Sequence, residues 1–434
     1  MRKYFILSVF AILLIACNKD ENINLKTETD VTSLDFSNAI ETKTFNIVSN
    51  TSWAIEKNGD WFTVSTESGS KDAAIDVTVA ENINTAPRSA KLIIRSEGYP
   101  DIEIGVNQSK GFETAGLYVL SEGGYGNGNA DLIYYDLKTD ETRSFAEVNA
   151  KSLGDVGNDL ALYGSKLYCV VSGSDSYPGY VEVINPETGV SQKQIPISVA
   201  HGLPRNIAFY ENKAYVTTYG NKVVRIDTAS LETDGSVALS GTYPEGICPY
   251  DGKLYVCNSG QGSGTTISII DITDVNNFTE TETITVPKNP VSITATASGD
   301  IYFSTNVIWS DGTPSNLHLL NPETKQIART FNCRASKIAL SGDFLYAVDF
   351  DWNNYSDHVN KINLQTKAIT NIDTGEDDFD SFYMVYNISA NPLNGDIYLT
   401  DMGNRVLVLD KNDNPTFNFS VNAPYGSKVV PIIK

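Results

Sequence analysis

Seven times in the last three-quarters of this chain, a short apolar strand with Tyr at its second position is followed by a second apolar strand that ends in Asp or Asn. The tyrosines are Tyr118, Tyr168, Tyr215, Tyr255, Tyr302, Tyr346 and Tyr398; the closing residues are Asp136, Asn185, Asp227, Asp271, Asn321, Asn363 and Asp410. Successive tyrosines stand 50, 47, 40, 47, 44 and 52 residues apart. That is one supersecondary unit per repeat and the period of a propeller blade.

The unit is clearest at 244–286. An inner strand around Pro244–Tyr250 leads through an Asp251-Gly252 turn to Lys253–Asn258, then Thr266–Asp271 and an outer strand around Thr281–Val286. Four strands per repeat make a blade, and both blade faces must be apolar to pack on their neighbours. The recurrent Tyr therefore reads as inter-blade packing. The Asp or Asn is followed by turn-forming sequence such as Leu-Lys-Thr or Pro-Glu-Thr, and reads as an acceptor for its own turn. The first unit, opening at Gly116, lacks an inner strand, while a spare apolar strand remains at Lys428–Ile433. Pairing the two closes the ring and removes its open edges. The expected fold is all-β: a seven-bladed β-propeller over 115–434, closed by the C-terminal strand and preceded by a small immunoglobulin-like β-sandwich over 25–109.

The sandwich is read from strand-like runs at 44–48, 61–66, 74–80, 90–96 and 102–106, separated by Gly, Asn, Pro and Ser and expected to pair antiparallel. Trp53, Trp61, the Glu67–Ser70 turn, Asn82, Arg88 and the closing Val106-Asn107-Gln108 resemble the BACON domain, a module associated with carbohydrate binding that also serves as a spacer. For both tryptophans a core role is expected.

Before it, Met1-Arg2-Lys3 and a short apolar run to Ala16 form an export signal, too short to span a bilayer. Leu14-Ile15-Ala16-Cys17 resembles a bacterial lipobox, which implies cleavage after residue 16, lipidation of Cys17 and a linker over 17–24. The acidic residues that follow resemble the surface-export signal of lipoproteins from the Bacteroidetes. The implied location is the outer membrane, lipid-anchored and facing outward.

A formal charge of −21 opposes nucleic acid and anionic lipid as partners. The cysteines follow no metal-binding spacing. Buried thiols are expected, with a Cys248–Cys257 disulfide open as an alternative in an exported protein.

Short turns join first and second strands, so the longer connections gather on the opposite face. They carry Tyr125, Tyr177, Tyr180, His201, Arg205, Tyr219, Tyr243, Trp309, Trp352, Tyr355, Phe382, Tyr383 and Tyr425, which we expect to form a ligand-binding face, with about half folding down over loop backbone. Asp349, Asp351 and Asn353 start like a calcium loop but lack its Gly and Glu, leaving only a weak oxygen-rich cation site. No catalytic motif and no cofactor motif is present; Asp155, Glu245, Asp349 and Asp401 are the carboxylates that strand ends bring toward this face.

Residues 115–434 resemble the YVTN-type propeller lipoproteins of gut Bacteroidetes, through Gly116–Gly123, Asn387–Pro392 and Asn394–Tyr398. One branch, BtuG-like, captures cobalamin for a TonB-dependent outer-membrane transporter. The resemblance implies a non-enzymatic surface lipoprotein holding a nutrient such as a corrinoid. A glycan-binding or adhesion module and a propeller lyase or glycosidase are the alternatives.

Overall fold

The computed structural model describes residues 25–274, 278–310, 312–374 and 384–434. They fall into two compact units, one ending at Phe112 and the other starting at Glu113.

In the first unit, Thr27–Thr29, Glu41–Ser49, Ala73–Val79 and Phe62–Val64 form one sheet. Ser33–Phe36, Ile102–Gln108, Arg88–Ser96, Trp53–Lys57 and Ser68–Gly69 form the other. Alternating burial along Glu41–Ser49 and Ala73–Val79 gives each strand one core face, with Phe45, Ile47, Ile75 and Val77 inside. The expected all-antiparallel pairing is corrected at one place: Ser33–Phe36 runs parallel to Gly105–Gln108.

The BACON-like residues hold this unit together. Trp53 is buried and its indole N–H donates to Lys71 O at 2.9 Å. Trp61 packs at the core edge beneath the Arg88 guanidinium, 4.5 Å from its ring. Arg88 also donates to Gln108 Oε1 at 2.8 Å and Ala80 O at 2.7 Å. Asn82 ties Ala86 O to Ser109 O.

The second unit is a seven-bladed propeller of four-stranded sheets. The innermost strands are Gly157–Tyr163, Pro204–Tyr210, Pro244–Tyr250, Pro290–Ala295, Lys337–Ser341, Val385–Ala390 and Gly426–Ile433. Each lies against the next all the way round. Gly426–Ile433 pairs antiparallel with Thr114–Ser121, so the C-terminus supplies the inner strand of the first blade.

The side chains seal the blades pairwise. Seven apolar clusters each span two neighbouring blades, and each holds one repeat tyrosine. All seven tyrosines are buried. The seven Asp and Asn residues all act as turn acceptors, each taking the N–H two residues on and, with one exception, a further turn N–H. At the exception, Asp271, the second donor is the Thr273 hydroxyl. Beside the Asp271 turn, at the same end of the blade, Asp251 and Gly252 both take positive φ, the conformation a two-residue hairpin requires.

Four of these turns carry carboxyls held below their ordinary value. The turn N–H groups do this at Asp136 and Asp410, the Thr273 hydroxyl at Asp271, and the Lys213 ammonium at Asp227. The unfolded chain then takes up more protons in acid, so this stabilisation is present above the ordinary carboxylate pKa of about 4 and is lost as pH falls below it. Melting temperature, followed by circular dichroism, should be flat from pH 7 to 5 and drop at pH 3. An unchanged value at pH 3 would remove the turn carboxylates from the account.

The connections divide as expected, but unevenly. The strands Phe344–Asp351 and Ser356–Asn363 extend further than the sequence reading allowed, leaving only 352–355 between them where a long loop was expected. Cys248 and Cys257 are both free and buried, which removes the disulfide alternative.

Candidate functional site

Five inner strands besides Gly426–Ile433, which breaks at Gly426/Lys428, enter their blades through a break in register. The breaks fall at Gly157/Asp159, Pro204/Ile207, Pro244/Ile247, Pro290/Ser292 and Val385/Asn387. Such a bulge leaves a residue outside the ladder and re-aims its side chain. Among the residues so released, Asn158, Arg205, Glu245, Val291 and Tyr386 line one cavity of about 310 Å³ on the long-connection face. Glu122, just past the strand Thr114–Ser121, and Lys337, the first residue of its unbroken strand, complete the ring, with Asn306, Trp309, Asp349, Phe350 and Trp352 at the sides. A second cavity of about 500 Å³ opens among the same inner strands, lined by Leu160, Ile207, Ile247 and Val430 together with Asp159, Asn206, Ser292 and Lys428. The channel thus carries the ionisable ring of Glu122, Arg205, Glu245 and Lys337 at the start of the inner strands, while further along them apolar and polar side chains mix.

Most charges of the polar mouth are already paired. Arg205 Nε lies 3.2 Å from Glu245 Oε2, and its guanidinium stacks 4.6 Å from the Tyr219 ring centroid. The Tyr219 hydroxyl also donates to Glu245. Burial lowers the Arg205 pKa, but the Glu245 carboxylate outweighs this and holds it above its ordinary value. Tyr219 is raised, first by burial and then by Glu245. Asp349 accepts from Arg334 Nε at 2.9 Å and from Ser315 Oγ at 2.7 Å.

Glu122 is less committed. It accepts from the Tyr386 hydroxyl at 2.7 Å, and burial pushes its carboxyl up while that bond pulls it down. Burial and the facing Glu122 push Tyr386 well above its ordinary value. Lys337 takes part in no ion pair among the described residues.

The expected site residues separate into groups. Trp309 is 69% exposed and Trp352 38% exposed; their rings meet edge to face with centroids 6.3 Å apart at 61°. Phe350, buried below, supports Trp352 at 4.9 Å. Tyr125, Tyr355 and Tyr425 are exposed, and Tyr425 meets Tyr386 at 5.6 Å. Tyr177 lies against Gly128, and Tyr243 meets Tyr219 edge to face at 5.2 Å. His201, lowered by burial, closes a short helical turn through its backbone.

Two expectations are corrected, for Tyr180 and for the cation site. Tyr180 begins a strand and is buried in the packing of the first two blades, its hydroxyl donating to Leu153 O, so it faces no ligand. Arg205 lies at the mouth as expected, where Glu245 and Tyr219 hold it. Asp349 and Asp351 turn toward Arg334, which lies 2.9 Å and 3.4 Å away, and Asn353 contributes only its N–H to Asp351. A guanidinium therefore fills the place of a cation. Among the described residues no group of three or more His, Cys, Asp or Glu is placed to hold a metal ion.

The four flagged carboxylates divide. Asp155 accepts from Gly126 N and Gly128 N, and Asp401 from Arg405 N, leaving Glu245 and Asp349 on the cavity wall. Phe382, Tyr383 and Cys17 lie outside the described residues.

Sequence reasoning missed Glu122, Lys337, Tyr386 and Asn158. One signal was available for the bulges: Pro204-Arg205-Asn206-Ile207, Pro244-Glu245-Gly246-Ile247 and Pro290-Val291-Ser292-Ile293 each place Pro at the strand entry and an apolar residue three later. Pro in a sheet marks a first residue or a bulge.

Comparison with known proteins agrees with this architecture. Residues 51–109 match the family model "BACON: Putative binding domain, N-terminal". No curated protein sequence matches the chain. Among solved structures, a "putative 6-phosphogluconolactonase" from Bacteroides uniformis is similar at 14% identity and TM-score 0.56, over 73% of this chain and all of that one. A protein of the same description from Bacteroides fragilis gives 13%, 0.54, and 73% and 98%. Hydrazine synthase of Kuenenia stuttgartiensis gives 14%, 0.50, and 62% and 92%. At these identities the likeness is one of fold. The chain joins a BACON domain to a β-propeller of the kind found in these Bacteroides proteins.

Proposed function

We propose that this is a non-enzymatic binding protein, lipid-anchored at the outer surface, whose propeller captures a small uncharged nutrient at its polar mouth for a TonB-dependent outer-membrane transporter. The observation that carries the binding reading is the mouth itself: an open cavity floored by bulge residues and flanked by an exposed pair of tryptophans. Large aromatic surface beside a few placed polar groups is the usual composition of a ligand pocket. The lipobox-like Leu14–Cys17 supports the anchor, and no helix among the described residues is long and apolar enough to cross a membrane.

Charge argues for an uncharged ligand. The name of the two Bacteroides neighbours implies a phosphorylated sugar lactone, a dianion. Here Glu122, Glu245 and Asp349 line the cavity, and with Arg205 spent on Glu245, Lys337 is the cation left to meet a phosphate. Phosphate recognition calls for converging charge-assisted donors, the opposite of this balance. A corrinoid, the ligand implied by the sequence resemblance, and a neutral glycan both satisfy the charge requirement.

The test is calorimetric titration of the purified mature chain with cyanocobalamin and with neutral oligosaccharides. Wild type should bind one of them, and the Trp309→Ala/Trp352→Ala double variant should lose at least about tenfold in affinity, as loss of aromatic anchors does. Absence of any binding, or equal affinity in the double variant, overturns the reading.

A further inference from the structure

We infer that the ligand is a neutral saccharide, held with one pyranose ring in the corner between Trp309 and Trp352 and its hydroxyls on Glu122, Lys337 and Asn306. The inference rests on the binding reading above and adds the ligand's chemical class.

The shape of the aromatic pair is the first ground. At 61° the two indoles make a corner rather than a floor or a slot. A flat macrocycle or a nucleobase is gripped best between parallel rings. A chair-shaped sugar is a compact block whose axial C–H groups form an apolar face, and the negative face of an indole attracts those polarised hydrogens. Phe350 fixes Trp352 edge-on at 87°, so the corner is partly preformed.

Size agrees. A cavity of about 310 Å³ is at the low end for small-molecule sites, room for one or two sugar rings and too little to enclose a macrocycle.

The polar complement is the third ground. Sugar hydroxyls donate and accept at once, so they need both kinds of partner side by side. Glu122 has spent one acceptor position on Tyr386, and an ionised carboxylate offers about four. Lys337 brings three donors. The Asn306 oxygen already accepts from Val307 N, leaving its NH₂ to donate. A carboxylate and an ammonium facing one cavity can bridge neighbouring hydroxyls through charge-assisted bonds, stronger than neutral ones.

The experiment titrates the mature chain and two variants, Trp309→Ala and Glu122→Gln, with a panel of neutral di- to tetrasaccharides and with cyanocobalamin, thermal melts confirming that the variants fold. We expect at least one saccharide to bind wild type, each variant to weaken it about tenfold or more, and cyanocobalamin to give no heat. If cyanocobalamin alone binds, and Trp309→Ala weakens it, the saccharide assignment is overturned and the binding reading stands. Saccharide binding that survives both substitutions also overturns the assignment, because the sugar then sits elsewhere. If nothing in the panel binds, both readings fall.

Discussion

A chain ending at residue 425 should fail to form a stable propeller. The lost segment is the inner strand of the first blade, and it serves two interfaces at once: Val429 packs in the cluster shared with the last blade, while Val430 and Ile432 pack toward the second. Burying three such side chains contributes about 1.5–3 kcal/mol each. Their sum is comparable to the 5–15 kcal/mol by which whole domains are stable. Truncation would also leave the Thr114–Ser121 strand, now bonded from Thr114 to Ser121 along this edge, with a row of unpaired backbone groups open to other chains. The expected outcome is aggregation on expression, or a monomer without a cooperative urea transition. A truncated protein that unfolds at the same urea midpoint as the full chain would show that the ring does not depend on this closure.

The second large effect separates ring from hydroxyl in the repeat tyrosines. Tyr215 is fully buried, lies edge-on to Phe278 at 5.8 Å, and its hydroxyl has no hydrogen-bond partner. Replacing it with Ala should cost about 3–5 kcal/mol, the usual loss for a large buried aromatic. Replacing it with Phe should cost nothing and could raise stability, since an unpaired buried hydroxyl is itself unfavourable. Tyr346 should respond differently to Phe, because its hydroxyl donates to Asp413 at 2.8 Å beside the Lys361 ammonium. Urea denaturation of the four variants Tyr215→Ala, Tyr215→Phe, Tyr346→Ala and Tyr346→Phe checks this. Equal loss in Tyr215→Ala and Tyr215→Phe would mean that the hydroxyl, not the ring, does the stabilising.

The fold was legible because its determinants are local and repeated. A Tyr at one strand position and an Asp or Asn at a strand end recur seven times, and each copy does the same thing in the structure. Even the closure could be read, from one missing strand at the start and one spare at the end. The site was legible only in outline. Topology assigns the exposed Trp309, Trp352 and Tyr355 to the long-connection face, since any blade sends those connections there.

What could not be read is the register. Tyr180 looked like a loop residue because nothing marks where its strand begins. Arg205 and Glu245 reach the cavity only because their strands break pairing beside them, and a bulge alters no residue's type. Glu122 and Lys337 come from the first and sixth blades and line the same cavity, a relation between positions 215 residues apart that no local pattern encodes.

The central claim is that the mouth beside Trp309 and Trp352, and not the cavity further along the inner strands, holds the ligand. A crystal structure of the propeller soaked with whichever compound binds in titration tests it most directly. The account predicts density packed against Trp309 and Trp352, with polar groups within hydrogen-bond reach of Glu122 or Lys337. Density seated instead among Leu160, Ile247 and Val430, at the opposite end of the channel, would contradict it.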